Sequence, residues 1–127
     1  MWRINNVIWR IRRVIRRTKN LFRWLPVIWK DEQWDYHFIF EILKYKLTIM
    51  SEYIRKNGHH TSAKYDADRM MLAVRLIDKV QNEEYIDELI DYNNLTKEIV
   101  DKADAKQAKA KRILFKLLEN NIEKWWD

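Results

Sequence analysis

Apolar residues recur near the start of the chain at the spacing of one helix face. From residue 2 to 24 they fall at intervals of three and four, which predicts an amphipathic helix. The helix is expected to stop before Pro26, because proline disfavours helical backbone in the residue that precedes it. The apolar positions are Ile4, Val7, Ile8, Ile11, Val14, Ile15, Leu21, Phe22 and Leu25. Trp2 and Trp9 are expected to flank this stripe, with arginines on the opposite face.

The next two apolar segments predict a central helical hairpin, with helices over about 36–56 and 63–81. Gly58, the only glycine, suits the left-handed position that follows a helix. Thr61 or Ser62 suits the cap of the second helix. Because the connection is only a few residues long, the two helices are predicted to be antiparallel.

Capping residues mark the remaining predicted helices. Asp31 or Asp35 is expected to cap the first helix of the hairpin. An acidic segment over 83–92 predicts a short helix, and a C-terminal helix is predicted over 97–125.

The composition favours helices over sheets. The 127 residues include one glycine, one proline and no cysteine, so tight turns, disulfides and cysteine-based zinc sites have little or no basis. We therefore predict an all-α protein of four to five helices that forms a single helical domain over 1–127. Seven tryptophans and the wide apolar faces are more apolar surface than so short a chain readily buries. A homo-oligomer is therefore expected.

Positive charge is concentrated at the N-terminus. Residues 1–30 hold nine of the 25 Lys and Arg residues and no acid, so the rest of the chain is net acidic. Such a helix fits three interpretations: a core helix with a basic back, a nucleic-acid contact or a membrane-surface helix. We predict that its Ile/Val face packs on its own body or on a second copy, and that it does not bind a membrane. Arg10, Arg13 and Arg17 share one face of it and are candidate anion ligands.

The turn between the hairpin helices is the first candidate binding site. It combines cations, an aromatic ring and the N-terminus of a helix, whose N–H groups favour anions. The predicted ligand-binding residues there are Lys56, His59, His60, Lys64, Tyr65 and Arg69. In this interpretation the cations neutralise phosphate and Tyr65 stacks on a base.

Neither an enzyme nor a metal site is predicted. His59 and His60 are adjacent and point in different directions, and no Glu-x-x-His pairs of a di-metal bundle occur. The sequence contains no recognisable catalytic triad and no glycine-rich phosphate loop. No catalytic residue, metal ligand or cofactor is therefore assigned.

Residues 23–80 resemble a family of small uncharacterised proteins of tailed bacteriophages. The shared pattern is a WKD-x-x-WD entry, an L-x-x-KL-x-x-M helix, a GHH turn and an MM-x-x-x-x-LI-x-K helix. The resemblance implies an accessory protein of host takeover or anti-defence in the host cytoplasm. With the basic turn, it suggests a non-enzymatic protein that binds an anionic partner, either a nucleotide-type signal or nucleic acid. The alternative is a structural or protein–protein role, as a virion component or as an inhibitor docked on a host protein.

Overall fold

The computed structural model describes residues 1–82 and 96–125, and this part of the chain is all-helical. Its four α-helices are α1 (Trp2–Ile28), α2 (His37–Asn57), α3 (Ala63–Gln81) and α4 (Lys97–Asn121). A 3₁₀ turn over Ile122–Lys124 follows α4. The all-α prediction is confirmed. The predicted acidic helix over 83–92 lies outside the described residues.

The chain divides into two compact units, Met1–Phe38 and Ile39–Asp127. The first contains α1 and the link to α2, and the second contains nearly all of α2 together with α3 and α4. The single helical domain over 1–127 stays a prediction.

Antiparallel pairing of α2 and α3, the predicted hairpin, is confirmed by polar contacts along its length. Near the start of α2, Lys44 Nζ lies 3.1 Å from Asp78 Oδ1, late in α3. Near the end of α2, Arg55 Nη2 lies 2.6 Å from Asp68 Oδ1, early in α3. These two ion pairs join opposite ends of the helices and fix their register.

The ion pairs at the two ends of the hairpin shift the pKa values of Lys44 and Asp68. Partial burial acts to lower the pKa of Lys44, but hydrogen bonds to Glu41 and Asp78 outweigh it, so the pKa lies above its usual value. The hydrogen bond from Arg55 holds the pKa of the exposed Asp68 below its usual value.

A buried hydrogen bond joins the middle of the hairpin. Ser51 Oγ donates to the backbone oxygen of Ala67 over 3.0 Å, and both residues are buried. A small hydroxyl facing a small alanine lets the two helices approach closely while the polar atom of Ser51 stays satisfied.

The core of the second unit is formed by α2, α3 and α4. The buried residues of α3 recur at helical spacing, so α3 is covered along most of its length. The core cluster comprises Leu47, Ile54, Met70, Ala73, Val74, Leu76, Ile77, Ala110, Leu114, Leu117, Leu118 and Trp125. Phe40 meets Phe115 edge-to-face at 6.4 Å, and Gln107 Nε2 donates to the Val80 oxygen. These contacts attach α4 to α2 and α3 respectively.

The turn of the hairpin needs glycine for a reason other than the predicted one. The backbone of Gly58 is not in the left-handed region, so that prediction was wrong. A Cβ at this position would instead overlap the Ile54 oxygen and lie 2.9 Å from the Ala63 Cβ. Gly58 is required because α2 ends and α3 begins within van der Waals distance of each other.

Two helix boundaries depend on short-range backbone chemistry. The predicted stop of α1 before Pro26 was wrong, since the helix continues to Ile28. Proline removes one N–H donor, but the N–H of Trp29 still donates to the Leu25 oxygen over 3.0 Å, so the last turn closes. At the start of α2, the N–H of His37 donates to Asp35 Oδ1 over 2.9 Å, which confirms Asp35 as a capping residue.

The end of α4 is shorter than predicted. The α-helix stops at Asn121 rather than 125, and the 3₁₀ turn then leads to Trp125, which is buried against the core. Trp125 folds inward here because burial of its ring is more favourable than another exposed helical turn.

Candidate functional site

The structure places the predicted turn residues close together but in unequal environments. Lys56, His59 and Lys64 are exposed, whereas His60 is half-buried. The Nε2 atom of His60 lies 2.9 Å from Asp66 Oδ2. His60 is therefore engaged with a carboxylate of its own chain.

Asp66 is the residue that sequence reasoning missed at this turn. It is buried in the first turn of α3, and its Oδ2 also accepts a hydrogen bond from Ser62 Oγ over 3.0 Å. Ser62 is the N-terminal boundary of α3, as predicted, but its side chain bonds to Asp66 instead of capping the helix. The N-terminus of α3 thus already has an anionic group beside it, which opposes the binding of a phosphate.

The aromatic ring at the turn also has a partner. The guanidinium of Arg69 lies 4.9 Å from the centroid of the Tyr65 ring, one helical turn away. The two predicted ligands therefore stack on each other. A base that stacked on this face of Tyr65 would have to displace Arg69.

The apolar stripe of α1 is not covered by the rest of its own unit, Met1–Phe38, and its packing on the body or on a second copy stays a prediction. Within α1, which the structure describes in full, no residue is buried. The nine stripe residues from Ile4 to Leu25 are each between 41% and 66% exposed. An apolar stripe of this length is the kind of surface that usually marks an interface.

The tryptophans of α1 do not flank the stripe. Trp2 and Trp9 precede Ile4 and Ile11 by two positions. At about 100° per residue, each tryptophan therefore lies about 160° away from the stripe residue that follows it. Flanking was a wrong prediction, because an interval of two residues places side chains on opposite faces of a helix.

Arginine and tryptophan form the outer face of α1, the face opposite the stripe. The guanidinium of Arg13 lies 3.5 Å from the centroid of the Trp9 ring, a close cation–π contact. Trp9 remains 54% exposed beneath it. With Arg12 and Arg16, these residues line an open concavity of about 280 Å³. The i, i+4 spacing of Trp9 and Arg13 is the sequence signal that could have revealed this contact.

The predicted cations of α1 do share one face. Arg10 and Arg17 are exposed and Arg13 is half-buried against Trp9. The whole helix carries eight cations and no acid, so no carboxylate of α1 itself neutralises this face. The outer face of α1 is thus a continuous cationic surface with an aromatic component.

A second cationic surface, on α4, was not predicted. Its residues line an open region of about 640 Å³ and are Ala108, Lys111, Arg112, Phe115, Lys116 and Glu119. Glu119 pairs with Lys116 over 2.9 Å, which removes part of the positive charge. The α1 face therefore has the higher density of cationic residues.

Two kinds of site receive no support from the part of the chain that the structure describes. No group of three or more His, Asp or Glu side chains there is arranged to hold a metal ion. No helix among those residues combines the length and apolarity needed to cross a membrane. The chain matches no protein-family model, no curated protein and no solved structure.

Proposed function

We propose that this protein is a non-enzymatic nucleic-acid-binding protein that contacts its partner through the outer face of α1. The observation that carries the proposal is a helix of eight cations and no acid, whose outer face also includes the half-exposed ring of Trp9. Arginine binds phosphate oxygens in bidentate geometry, and an exposed indole offers a flat surface to a base.

The length of the cationic face favours an extended polyanion over a single nucleotide. A helix of 27 residues is about 40 Å long, and cations recur from Arg3 to Arg23. The concavity around Trp9 is open and is lined by one helix, so it does not enclose a small ligand. At the hairpin turn, the buried carboxylate of Asp66 contacts His60 and Ser62 and adds negative charge that disfavours a phosphate. These observations favour nucleic acid over a nucleotide-type signal.

The aromatic component favours unpaired bases. Stacking on tryptophan requires a base whose face is accessible, which single strands provide and intact duplexes do not. The resemblance to phage proteins supports a role for this binding in host takeover or anti-defence in the host cytoplasm. Docking on a host protein is the alternative, in which the exposed tryptophans would be the main contacts.

The test is the binding of a fluorescent 20-nucleotide single strand, followed by anisotropy at several salt concentrations. In the test variant, Arg10, Arg13 and Arg17 become Gln. Its matched control replaces three exposed cations of α4, Lys102, Lys106 and Lys109, with Gln and so changes the net charge equally. Far-UV circular dichroism verifies that both variants remain helical.

We expect the α1 variant to bind at least about tenfold more weakly near 0.15 M salt, and the control to bind almost as well as the original chain. Losing three phosphate contacts should also reduce the slope of log K against log salt by about 2, at about 0.7 per contact for single strands. Equal losses in the two variants would show only a general effect of net charge and would refute a site on α1. Tighter binding of a duplex of equal length would contradict the stacking role of Trp9.

A further inference from the structure

The exposed stripe of α1 follows a seven-residue repeat. Apolar residues recur at alternating intervals of four and three from Ile4 to Trp29, interrupted only by Thr18. The series is Ile4, Ile8, Ile11, Ile15, Thr18, Phe22, Leu25 and Trp29. In heptad notation, Ile8, Ile15, Phe22 and Trp29 take position a, and Ile4, Ile11, Thr18 and Leu25 take position d. The register extends over more than three heptads, the length over which apolar a and d positions favour a coiled coil.

This period distinguishes among the surfaces that could cover the stripe. On a straight helix a strict seven-residue repeat shifts by about 20° per heptad, so the apolar line winds around α1. Over three heptads the two ends of such a line lie about 60° apart around the helix, so a flat lipid surface fits it less well than a partner that winds with it. A second helix can follow it, because two helices wrap around each other with this period. The repeat therefore favours a helix as the occupant.

We propose that the occupant is α1 of further copies of this chain, so that the protein assembles through a coiled coil along the stripe. The composition of the stripe supports more than two strands. Isoleucine at both a and d shifts coiled coils towards trimers and tetramers. Val7, Val14, Leu21 and Ile28 add an apolar g position at each heptad, which widens the interface beyond a two-stranded seam.

Charge sets the conditions under which this assembly forms. Because α1 contains no acid, no ion pair between copies of α1 can form, and the e positions Arg12 and Lys19 repel their equivalents. Added salt screens this repulsion. Self-association should therefore be stronger at about 0.5 M salt than at about 0.05 M. This dependence is opposite to that of nucleic-acid binding, which salt weakens.

The test measures the mass of the full chain by sedimentation equilibrium over micromolar concentrations at low and high salt. The disrupting variant is Ile11→Asp, at a d position. Its matched control is Ile113→Asp on α4, where the isoleucine is exposed to a similar degree, 45% against 54%. A third variant, Thr18→Ile, replaces the polar d residue with an apolar one.

We expect the original chain to form a trimer or tetramer. Ile11→Asp should raise the dissociation constant of this assembly at least about tenfold, and Ile113→Asp should leave it unchanged. Thr18→Ile should lower it. A monomer at about 100 µM in high salt would overturn the proposal, as would an equal effect of the two aspartates or no effect of Thr18→Ile. Co-sedimentation with phosphatidylglycerol vesicles tests a lipid surface as the occupant. If the chain is monomeric and pellets with the vesicles, and its Ile11→Asp variant does not pellet, the occupant is lipid and the proposal is overturned. The inference is independent of the proposed function, because single-strand binding depends on the outer face of α1.

Discussion

Substitutions of two neighbouring residues in α4 compare how much a buried and an exposed side chain contribute to the free energy of unfolding. Leu114 is 0% exposed within the core, whereas Ile113 is 45% exposed. We predict that Leu114→Ala lowers the free energy of unfolding by about 3 kcal/mol, because truncation removes buried methyl groups and leaves a cavity. Ile113→Ala removes equally many carbons that are only half-buried and leaves no closed cavity. It should cost about 1 kcal/mol.

The measurement is urea unfolding followed by far-UV circular dichroism, with a thermal melt beside it. A unit of about 90 residues loses about 4 to 8 °C of melting temperature per kcal/mol, so Leu114→Ala should lower it by roughly 12 to 24 °C. The denaturant dependence (the m-value) should stay the same in both variants, since the surface exposed on unfolding is nearly unchanged. Losses within about 0.5 kcal/mol of each other would show that Leu114 is not in a close-packed core.

Three further substitutions test the hairpin. Gly58→Ala should cost about 1–3 kcal/mol in urea unfolding, because the added Cβ overlaps the Ile54 oxygen; an unchanged midpoint would contradict this. Asp66→Ala should cost about 1–3 kcal/mol by the same assay, because His60 loses its acceptor, and it should bring no loss of single-strand binding. The stability that Lys44→Met removes should be constant from neutral pH to about 10.5 and shrink above it. The raised pKa of Lys44 means that its stabilisation is lost only as the folded protein deprotonates.

The hairpin was predictable because local and long-range signals agree there. The apolar spacing gave α2 and α3 to within one residue at each end, and the single glycine marked the turn between them. The short connection then left antiparallel packing as the natural arrangement. The reason for Gly58 was not predictable, because the approach of Ile54 and Ala63 depends on how the two helices meet.

The environment of α1 could not be deduced from its amphipathicity. A regular apolar stripe shows that a helix has a face to bury, but it does not identify the surface that covers it. The stripe from Ile4 to Leu25 was therefore compatible with the body, another copy or a membrane, and the rest of its own unit does not cover it. The period of the stripe discriminates better than its apolarity does, because seven-residue and 3.6-residue repeats suit partners of different shape.

The candidate site at the turn illustrates a different limit. Clustered cations in a sequence suggest an anion site only if no acid of the chain lies among them. Asp66 was visible in the sequence, but its burial against His60 and Ser62 depends on the fold of the turn. Likewise Arg69 was expected to contact a ligand and instead covers Tyr65. The carboxylate of Asp66 therefore lowers the positive charge that composition alone would assign to the turn.

The two faces of α1 share one period, and this links the two proposals geometrically. Arg3, Arg10 and Arg17 are spaced by seven residues, as are Trp2 and Trp9, so each set keeps a constant position relative to the repeating stripe. In heptad notation the tryptophans occupy b, which faces outward from a coiled coil, and the arginines occupy c, beside the apolar g positions. Burying the stripe would therefore leave the tryptophans accessible and the arginines at the border of the interface. Each added copy of α1 would also bring eight further cations to the same rod, so a polyanion that bridges copies would offset the repulsion that opposes assembly. At low salt, a nucleic acid that bridges copies should therefore promote self-association of the chain, as high salt does in its absence. A single strand too short to span two helices should not promote it.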